Sequence, residues 1–205
     1  MVMNVVIVDT GIANFGSIES AVVRAGGKPH IGRTPREIDD ASHIILPGVG
    51  SFDVAMRTID ERKLRDVLHR KATVEKTPTL GICLGMQLLG ASSEEGKIAG
   101  LGWLKGRTVK IASRDLKVPH IGWNKVQWDR QMPLFEGIAP GARFYFVHSY
   151  HYKTEKPDEI VADVEYGDRL AAVIQHDNIV GAQFHPEKSR AGGLQLLRNF
   201  LRMTH

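Results

Sequence analysis

Cys83 is the only cysteine of the chain, and it stands in the run Leu80-Gly81-Ile82-Cys83-Leu84-Gly85-Met86-Gln87. The run reads as an apolar strand that breaks at a turn of small residues and continues into a helix. A sharp strand-to-helix turn lifts its central side chain off the sheet, and flanking glycines let the backbone bend while a substrate comes close. The helix that follows would aim its first N–H groups and its positive dipole end at the sulfur, favouring the reactive thiolate. Cys83 is therefore a candidate nucleophile rather than a small packed hydrophobe.

A thiolate nucleophile needs a proton carrier, and nine histidines compete for that role. His185 has the best setting. It follows the apolar run 179–184 and precedes Pro186-Glu187, and a residue before proline is biased to an extended backbone. Residues two apart on an extended chain project to the same side, so Glu187 can hold one ring nitrogen while the other exchanges a proton with sulfur. Cys83, His185 and Glu187 would then form a triad of nucleophile, base and orienting carboxylate.

The elements that must position these groups alternate. Apolar, β-branched runs at residues 5–8, 44–46 and 79–82 each end at a turn signal and precede a helical pattern, which argues for a parallel α/β sheet. Between the first two, residues 17–25 carry an apolar face through Ile18, Ala21, Val22 and Ala25, closed by Gly26-Gly27. Thr34-Pro35-Arg36-Glu37 has the pattern of a capping box with proline at the first helical position. Ser51 can cap a longer helix with Phe52, Met56, Ile59, Val67 and Leu68 on its buried side, ending before Pro78. Later runs at 107–111, 143–147, 160–164, 171–175 and 179–184 are short and alternating, as in an antiparallel extension, and Leu194, Leu197 and Leu201 mark a final helix. The expected architecture is an open, mostly parallel central sheet flanked by helices, with that extension in the C-terminal half and a single domain over residues 1–205.

In such sheets the functional crevice lies beyond the carboxyl ends of the strands. Besides Cys83, this points to the loops Asp9-Thr10-Gly11-Ile12-Ala13-Asn14-Phe15-Gly16 and Pro47-Gly48-Val49-Gly50. The latter is not a dinucleotide fingerprint, since Phe52-Asp53 stands where a third glycine is required. Its glycines suit a backbone strip whose N–H groups face a developing oxyanion.

With 42% hydrophobic residues in 205, one substantial core is expected, and a lone cysteine precludes an internal disulfide and a cysteine-rich metal cluster. The natural setting is a reducing cytoplasm. The N-terminal residues 1–8 lack a basic flank and run into Asp9, so they read as a first strand and not as a signal peptide. The net charge of +4 is spread over scattered single Lys and Arg residues, which gives no basic stripe for nucleic acid. No membrane segment, cofactor motif or metal-ligand spacing is visible.

Gly81-Ile82-Cys83-Leu84-Gly85-Met86-Gln87 together with Phe184-His185-Pro186-Glu187 resembles the class I, triad-type glutamine amidotransferases. Asp9-Thr10-Gly11-Ile12-Ala13-Asn14, Pro47-Gly48-Val49-Gly50, Pro119-His120-Ile121-Gly122-Trp123-Asn124, Phe144-Tyr145-Phe146-Val147-His148-Ser149-Tyr150 and His185-Pro186-Glu187-Lys188-Ser189 are similar to the glutaminase subunits of bacterial imidazole glycerol phosphate synthases. These blocks span nearly the whole chain in order.

The resemblance implies that Cys83 attacks the side-chain amide of L-glutamine, that His185 relays the proton and that Glu187 orients His185. The oxyanion would meet the backbone N–H of Leu84 and one from Gly48 or Val49. Gly50, Gln87, Ser149, Tyr150 and His148 match positions around the substrate, and either Glu94 or Glu95 would meet its α-amino group. Met86 is assigned to packing. The ammonia would pass to a separate (β/α)₈-barrel cyclase in a heterodimer, which makes imidazole glycerol phosphate and aminoimidazole carboxamide ribotide in histidine biosynthesis, with Asn14, Phe15, Trp123 and Lys188 at or beside the docking face. The isolated chain is expected to be nearly inactive, the 47–50 peptides presenting a carbonyl until the loaded partner favours the flipped form. Rival readings are the glutaminase of another pathway, such as anthranilate or pyridoxal phosphate synthesis, a cysteine hydrolase on the same sheet, and a non-catalytic scaffold; the last would be expected to break the triad.

Overall fold

Continuous apolar runs become strands buried on both faces, and alternating ones become strands with one wet face. In the computed structural model, which describes residues 3–112, 116–128 and 132–204, the first kind are β1 (Asn4–Val8), β3 (His43–Leu46) and β4 (Thr79–Ile82), with β2 (Lys28–Gly32) at the edge. The later strands are β5 (Ser92–Ser93), β6 (Gly106–Lys110), β7 (His120–Gln127), β8 (Arg143–His148), β9 (Tyr150–Thr154), β10 (Ile160–Tyr166), β11 (Asp168–His176) and β12 (Ile179–Ala182). Nine of them form one sheet in the order β2-β1-β3-β4-β12-β11-β10-β7-β8, and β5-β6-β9 form a second. Pairing is parallel from β2 to β12 and antiparallel from β12 to β8.

Two details correct the expectation of where the antiparallel part begins. The 179–184 run supplies β12, which pairs in parallel with β4, so it closes the parallel half instead of belonging to the extension. Residues 107–111 supply β6 of the small sheet. The first correction matters for chemistry, because register pairs Gly181 with Gly81 and Ala182 with Ile82. The chain leaving β12 therefore emerges beside the chain leaving β4.

The helices are α1 (Phe15–Ala25), α2 (Pro35–Asp39), α3 (Phe52–Glu61), α4 (Arg65–His69), α5 (Leu84–Leu88) and α6 (Arg190–Leu201). The capping box at α2 forms as expected, with Glu37 N–H donating to Thr34 Oγ1 at 3.4 Å and Thr34 N–H donating to Glu37 Oε2 at 2.9 Å. The single long helix expected after Ser51 does not form. Lys63 takes φ +57°, and the Lys63 and Leu64 amides donate to Asp60 and Ile59 carbonyls, a Schellman closure that ends α3 and buries Leu64. A short π-helical turn, Arg70–Val74, continues α4. Ser51 supplies no side-chain cap to α3; Glu95, remote in sequence, accepts from Phe52 N–H at 3.1 Å instead.

Strand alternation sends Val5 and Ile7 to a core shared with Ile18 and Val22 of α1 and Leu197 and Phe200 of α6. Val6 and Val8 face Phe52, Met56 and Ile59 of α3 on the other side. Met86 is fully buried. No helix of the described residues is long and apolar enough to cross a membrane.

Candidate active site

Cys83 sits at the N-cap of α5 with φ +53° and ψ −107°, a conformation costly for a residue with a Cβ and sustained only where the surroundings enforce it. The flanking glycines are what enforce it. A Cβ on Gly85 would lie 1.8 Å from the Leu46 carbonyl oxygen, and one on Gly81 would lie 2.6 Å from the Gly85 carbonyl. The helix thus presses onto the ends of β3 and β4 with no room for a methyl group. Cys83 N–H donates to Ala182 O at 2.8 Å, tying the turn to β12. The helix behind the sulfur is only five residues long.

His185 is 2% exposed. Its backbone N–H donates to Tyr145 O at 2.9 Å and its carbonyl accepts from Ser189 Oγ at 2.6 Å. The ring Nδ1 lies 2.8 Å from Glu187 Oε1, whose side chain is 2% exposed. Burial disfavours the imidazolium, but the neighbouring Cys83 sulfur and the Glu187 carboxylate outweigh it and push His185 up to about 9. Nε2 is buried with no aligned hydrogen-bond partner of its own. The three residues expected to act together therefore meet.

Besides the ring, the sulfur has two further contacts. Cys83 Sγ–H donates toward Val147 O at 3.7 Å, and the sulfur accepts from Gln183 Nε2 at the same distance. These longer separations suit the larger sulfur atom.

A cleft of about 460 Å³ opens at the sulfur, lined by Val49, Gly50, Leu84, Gln87, Glu95 and Tyr150 among others. Ser149, His148, Pro119 and Lys188 complete its wall. The two glutamates differ in position. Glu94 Oε2 accepts from Lys110 N–H at 2.9 Å on the small sheet, while Glu95 reaches the cleft and burial raises its carboxyl above the usual range. Leu84 begins α5, where amides lack intrahelical acceptors. Val49 N–H donates to Ile12 O at 3.4 Å and is not offered to the cleft in this state.

Gln87 and His148 are buried side chains at the cleft wall, and both are anchored on one carbonyl. Gln87 Nε2 donates to Tyr150 O at 3.0 Å and to Gln183 Oε1 at 3.2 Å. His148 Nδ1 meets Tyr150 O at 2.8 Å, and its Nε2 meets His120 Nδ1 at 3.0 Å. A carbonyl only accepts, so His148 carries its proton on Nδ1 and receives one from His120 through Nε2. Burial holds both rings neutral, His148 lowered to about 3 and His120 to about 4. Gln183, His120, Val147 and Pro119 are at the site and were given no role from the sequence. The available signal for Gln183 was its place in the segment that leads into His185.

The residues expected at a docking face lie outside the cleft or on its rim. Asn14 is exposed and caps α1, accepting from Ser17 N–H at 3.3 Å. Phe15 is half-buried against the core. Trp123 is 38% exposed and stacks under Arg190, 4.9 Å from the ring centre. Lys188 extends over Tyr145 at 5.8 Å.

A strained thiol, a buried imidazole and a carboxylate at the ends of parallel strands fit the match found with known families. The chain belongs to the class-I glutamine amidotransferase family, whose model matches residues 6–204. Its full-length relatives include imidazole glycerol phosphate synthase subunit HisH of Escherichia coli K12, 46% identical over 202 residues, covering 98% of this chain and all of that one. HisH proteins of Methanococcus maripaludis and Pseudomonas aeruginosa are 44% and 42% identical, with the same coverage. Among solved structures, PurLQS from Thermotoga maritima covers 98% of both chains with a TM-score of 0.73 at 20% identity. A crystal structure of a glutamine amidotransferase gives 0.74 at 19%, covering 96% of each. At that identity these two establish the fold.

Proposed function

We propose that this chain hydrolyses L-glutamine to glutamate and ammonia and delivers the ammonia to a separate cyclase subunit in the synthesis of imidazole glycerol phosphate. The observation that carries the chemistry is the His185 ring, held by Glu187 at 2.8 Å and raised in basicity by the sulfur beside it.

Cys83 and His185 share one proton: with it on Nε2 the ring is the imidazolium, and the thiolate, released from Val147 O, attacks the side-chain carbonyl of glutamine. Glu187 stabilises the imidazolium through Nδ1–H. The tetrahedral oxyanion is met by Leu84 N–H and by a peptide N–H of the 48–49 strip, each donor worth about 3 kcal/mol in a water-poor site. Collapse breaks the C–N bond, and the His185 proton goes to the departing nitrogen, leaving a thioester. Water, deprotonated by His185, then releases glutamate and restores the thiol. Glu95 takes the α-ammonium group, while Ser149, Tyr150 and Gly50 bound the substrate backbone.

Ammonia in bulk water becomes non-nucleophilic ammonium, so direct delivery into a partner is favoured. The full-length likeness to HisH subunits supports a heterodimer with a (β/α)₈-barrel cyclase, docked over Asn14, Phe15, Trp123 and Lys188. The lone reduced thiol is consistent with the cytoplasm. The Val49–Ile12 hydrogen bond supports a resting state that withholds one oxyanion donor until the partner is loaded. Glutaminase turnover is accordingly expected to be very low for the chain alone and to rise with partner plus acceptor analogue; equal turnover in all three conditions refutes the gating.

The chemistry is tested with Cys83→Ala. Glutamine-dependent synthesis by the assembled pair should fall by on the order of 10⁴-fold or more, while synthesis from added ammonium salt is retained. Retained glutamine-dependent synthesis would sink the proposal.

A further inference from the structure

We infer that Gln183 is a catalytic residue of this site, its side-chain amide donating to the Cys83 sulfur and stabilising it as the attacking thiolate. The inference rests on the proposed thiol chemistry and adds a fourth side chain to it.

Gln183 follows β12 directly, and the Ala182–Ile82 register sets it beside Cys83. It is fully buried, where an amide is retained only with its hydrogen bonds made. Its orientation is dictated from a fixed point. Tyr150 O is an obligate acceptor, so the Gln87 end that faces it at 3.0 Å is the amide nitrogen. That same nitrogen lies 3.2 Å from Gln183, whose facing atom must then be Oε1. The Gln183 amide nitrogen is left on the sulfur, at 3.7 Å. Reversing Gln183 would set two N–H donors against each other and an oxygen lone pair against sulfur.

The two contacts of the sulfur favour opposite protonation states. Val147 O, 3.7 Å away, accepts from a thiol and repels a thiolate. Gln183 Nε2–H gains strength when its acceptor becomes charged, since charge-assisted hydrogen bonds are about twice as strong as neutral ones. Val147 thus parks the resting thiol, and Gln183 holds the anion once the proton has gone to His185. The titratable and charged groups around the sulfur are His185 with Glu187, which follow β12, and His148 at the end of β8. Glu95 and Lys188 line the same cleft. None of them is altered by substituting Gln183.

The test is the pH profile of Cys83 alkylation by iodoacetamide in the full-length chain, which reads thiolate formation without glutamine. Gln183→Met keeps the bulk and removes the donor; its profile should move up by about one pH unit, with alkylation near neutrality slowed roughly tenfold. Gln183→Glu keeps an acceptor for Gln87 and places an anion at the sulfur, so its profile should move further in the same direction. It also provides a folded variant if Gln183→Met fails to fold, circular dichroism serving as the check. A folded Gln183→Met whose profile superimposes on that of the unsubstituted chain overturns the inference, whatever happens to turnover. If instead the unsubstituted chain with its partner releases no glutamate, the glutaminase reading fails while the alkylation result still stands.

Discussion

The five parallel strands and the four antiparallel strands of the large sheet supply the site in different ways. From the parallel half come Cys83 and His185, each on the backbone leaving a strand, and their proximity follows from the β4–β12 register. From the antiparallel half come Val147 and His148, and beyond them Ser149 and Tyr150, held by a buried polar network that converges on the Tyr150 carbonyl. The sheet curls enough for His185 N–H to donate to Tyr145 O on β8, although β8 is the far edge in pairing order. Reacting atoms are thus fixed by main-chain geometry and recognition by side-chain hydrogen bonds. Damage to the first should be close to all-or-none in turnover; damage to the second should be graded and visible mainly in affinity or stability.

Glu187→Gln is the harshest test on the reacting side that spares the nucleophile. It leaves the shape unchanged but removes the charge that favours His185 as an imidazolium, and kcat for glutamine should fall about 10²- to 10⁴-fold with KM little changed, as when the orienting carboxylate of a triad is neutralised. Thermal stability gives a second readout. His185 is raised from 6.5 to about 9 on folding, so the stability from its charged form is fully present below about 6.5 and is lost as pH rises through about 9. The Tm gap between the native chain and Glu187→Gln should therefore be widest in mild acid and close in alkali. A gap that widens with rising pH would break the assignment.

On the recognition side, Glu95→Gln should raise the KM for glutamine about 10- to 100-fold, the scale of a lost hydrogen bond to a charged group, with kcat nearly preserved. Burial raises the Glu95 carboxyl, so glutamine affinity should weaken on acidification at a higher pH than for an exposed glutamate. Glu95→Gln should abolish that acid limb. A collapse of kcat with KM unchanged would place Glu95, which follows β5 of the small sheet, among the reacting groups and not with recognition.

The same contrast explains what could be read from the chain alone. The Cys83 turn was legible because its constraint is local: glycines two residues before and after the thiol are the ones that permit contact with β3 and α5. His185 with Glu187 was legible for the same reason, as was the Thr34 capping box. What escaped depends on distant partners. The edge strand β2 carries Lys28, Pro29 and His30 and little apolar patterning, and the break at Lys63 has no glycine to announce it. Glu94 and Glu95 are neighbours in sequence, so spacing could not separate them; only the fold sends one to Lys110 and the other to Phe52. Gln183 touches partners 96 and 100 residues away, so its place two residues before His185 points to the site but not to these contacts.

The mildest expected change probes the end of the recognition network. His120→Phe keeps an aromatic ring for the stacks on Phe146 and Tyr166, whose centroids lie 4.8 and 3.9 Å away, but removes the donor to His148 Nε2. At neutral pH the variant should lose about 1–2 kcal/mol, the cost of leaving one buried polar atom unpaired, and kcat/KM should fall only a few-fold because no reacting atom moves. Acid should reverse the ranking. His120 is lowered from 6.5 to about 4 on folding, so the stability that it contributes as a neutral ring is present above 6.5 and drains away as pH falls toward 4. Phenylalanine has no such loss, and the two stability curves should converge and then cross at roughly pH 5. Curves that stay parallel down to about pH 4 would mean that the buried pair does not carry the acid sensitivity assigned to it. A hundredfold loss of turnover at neutrality would mean instead that this network sets the reacting geometry, and the division of labour between the two halves of the sheet would fall.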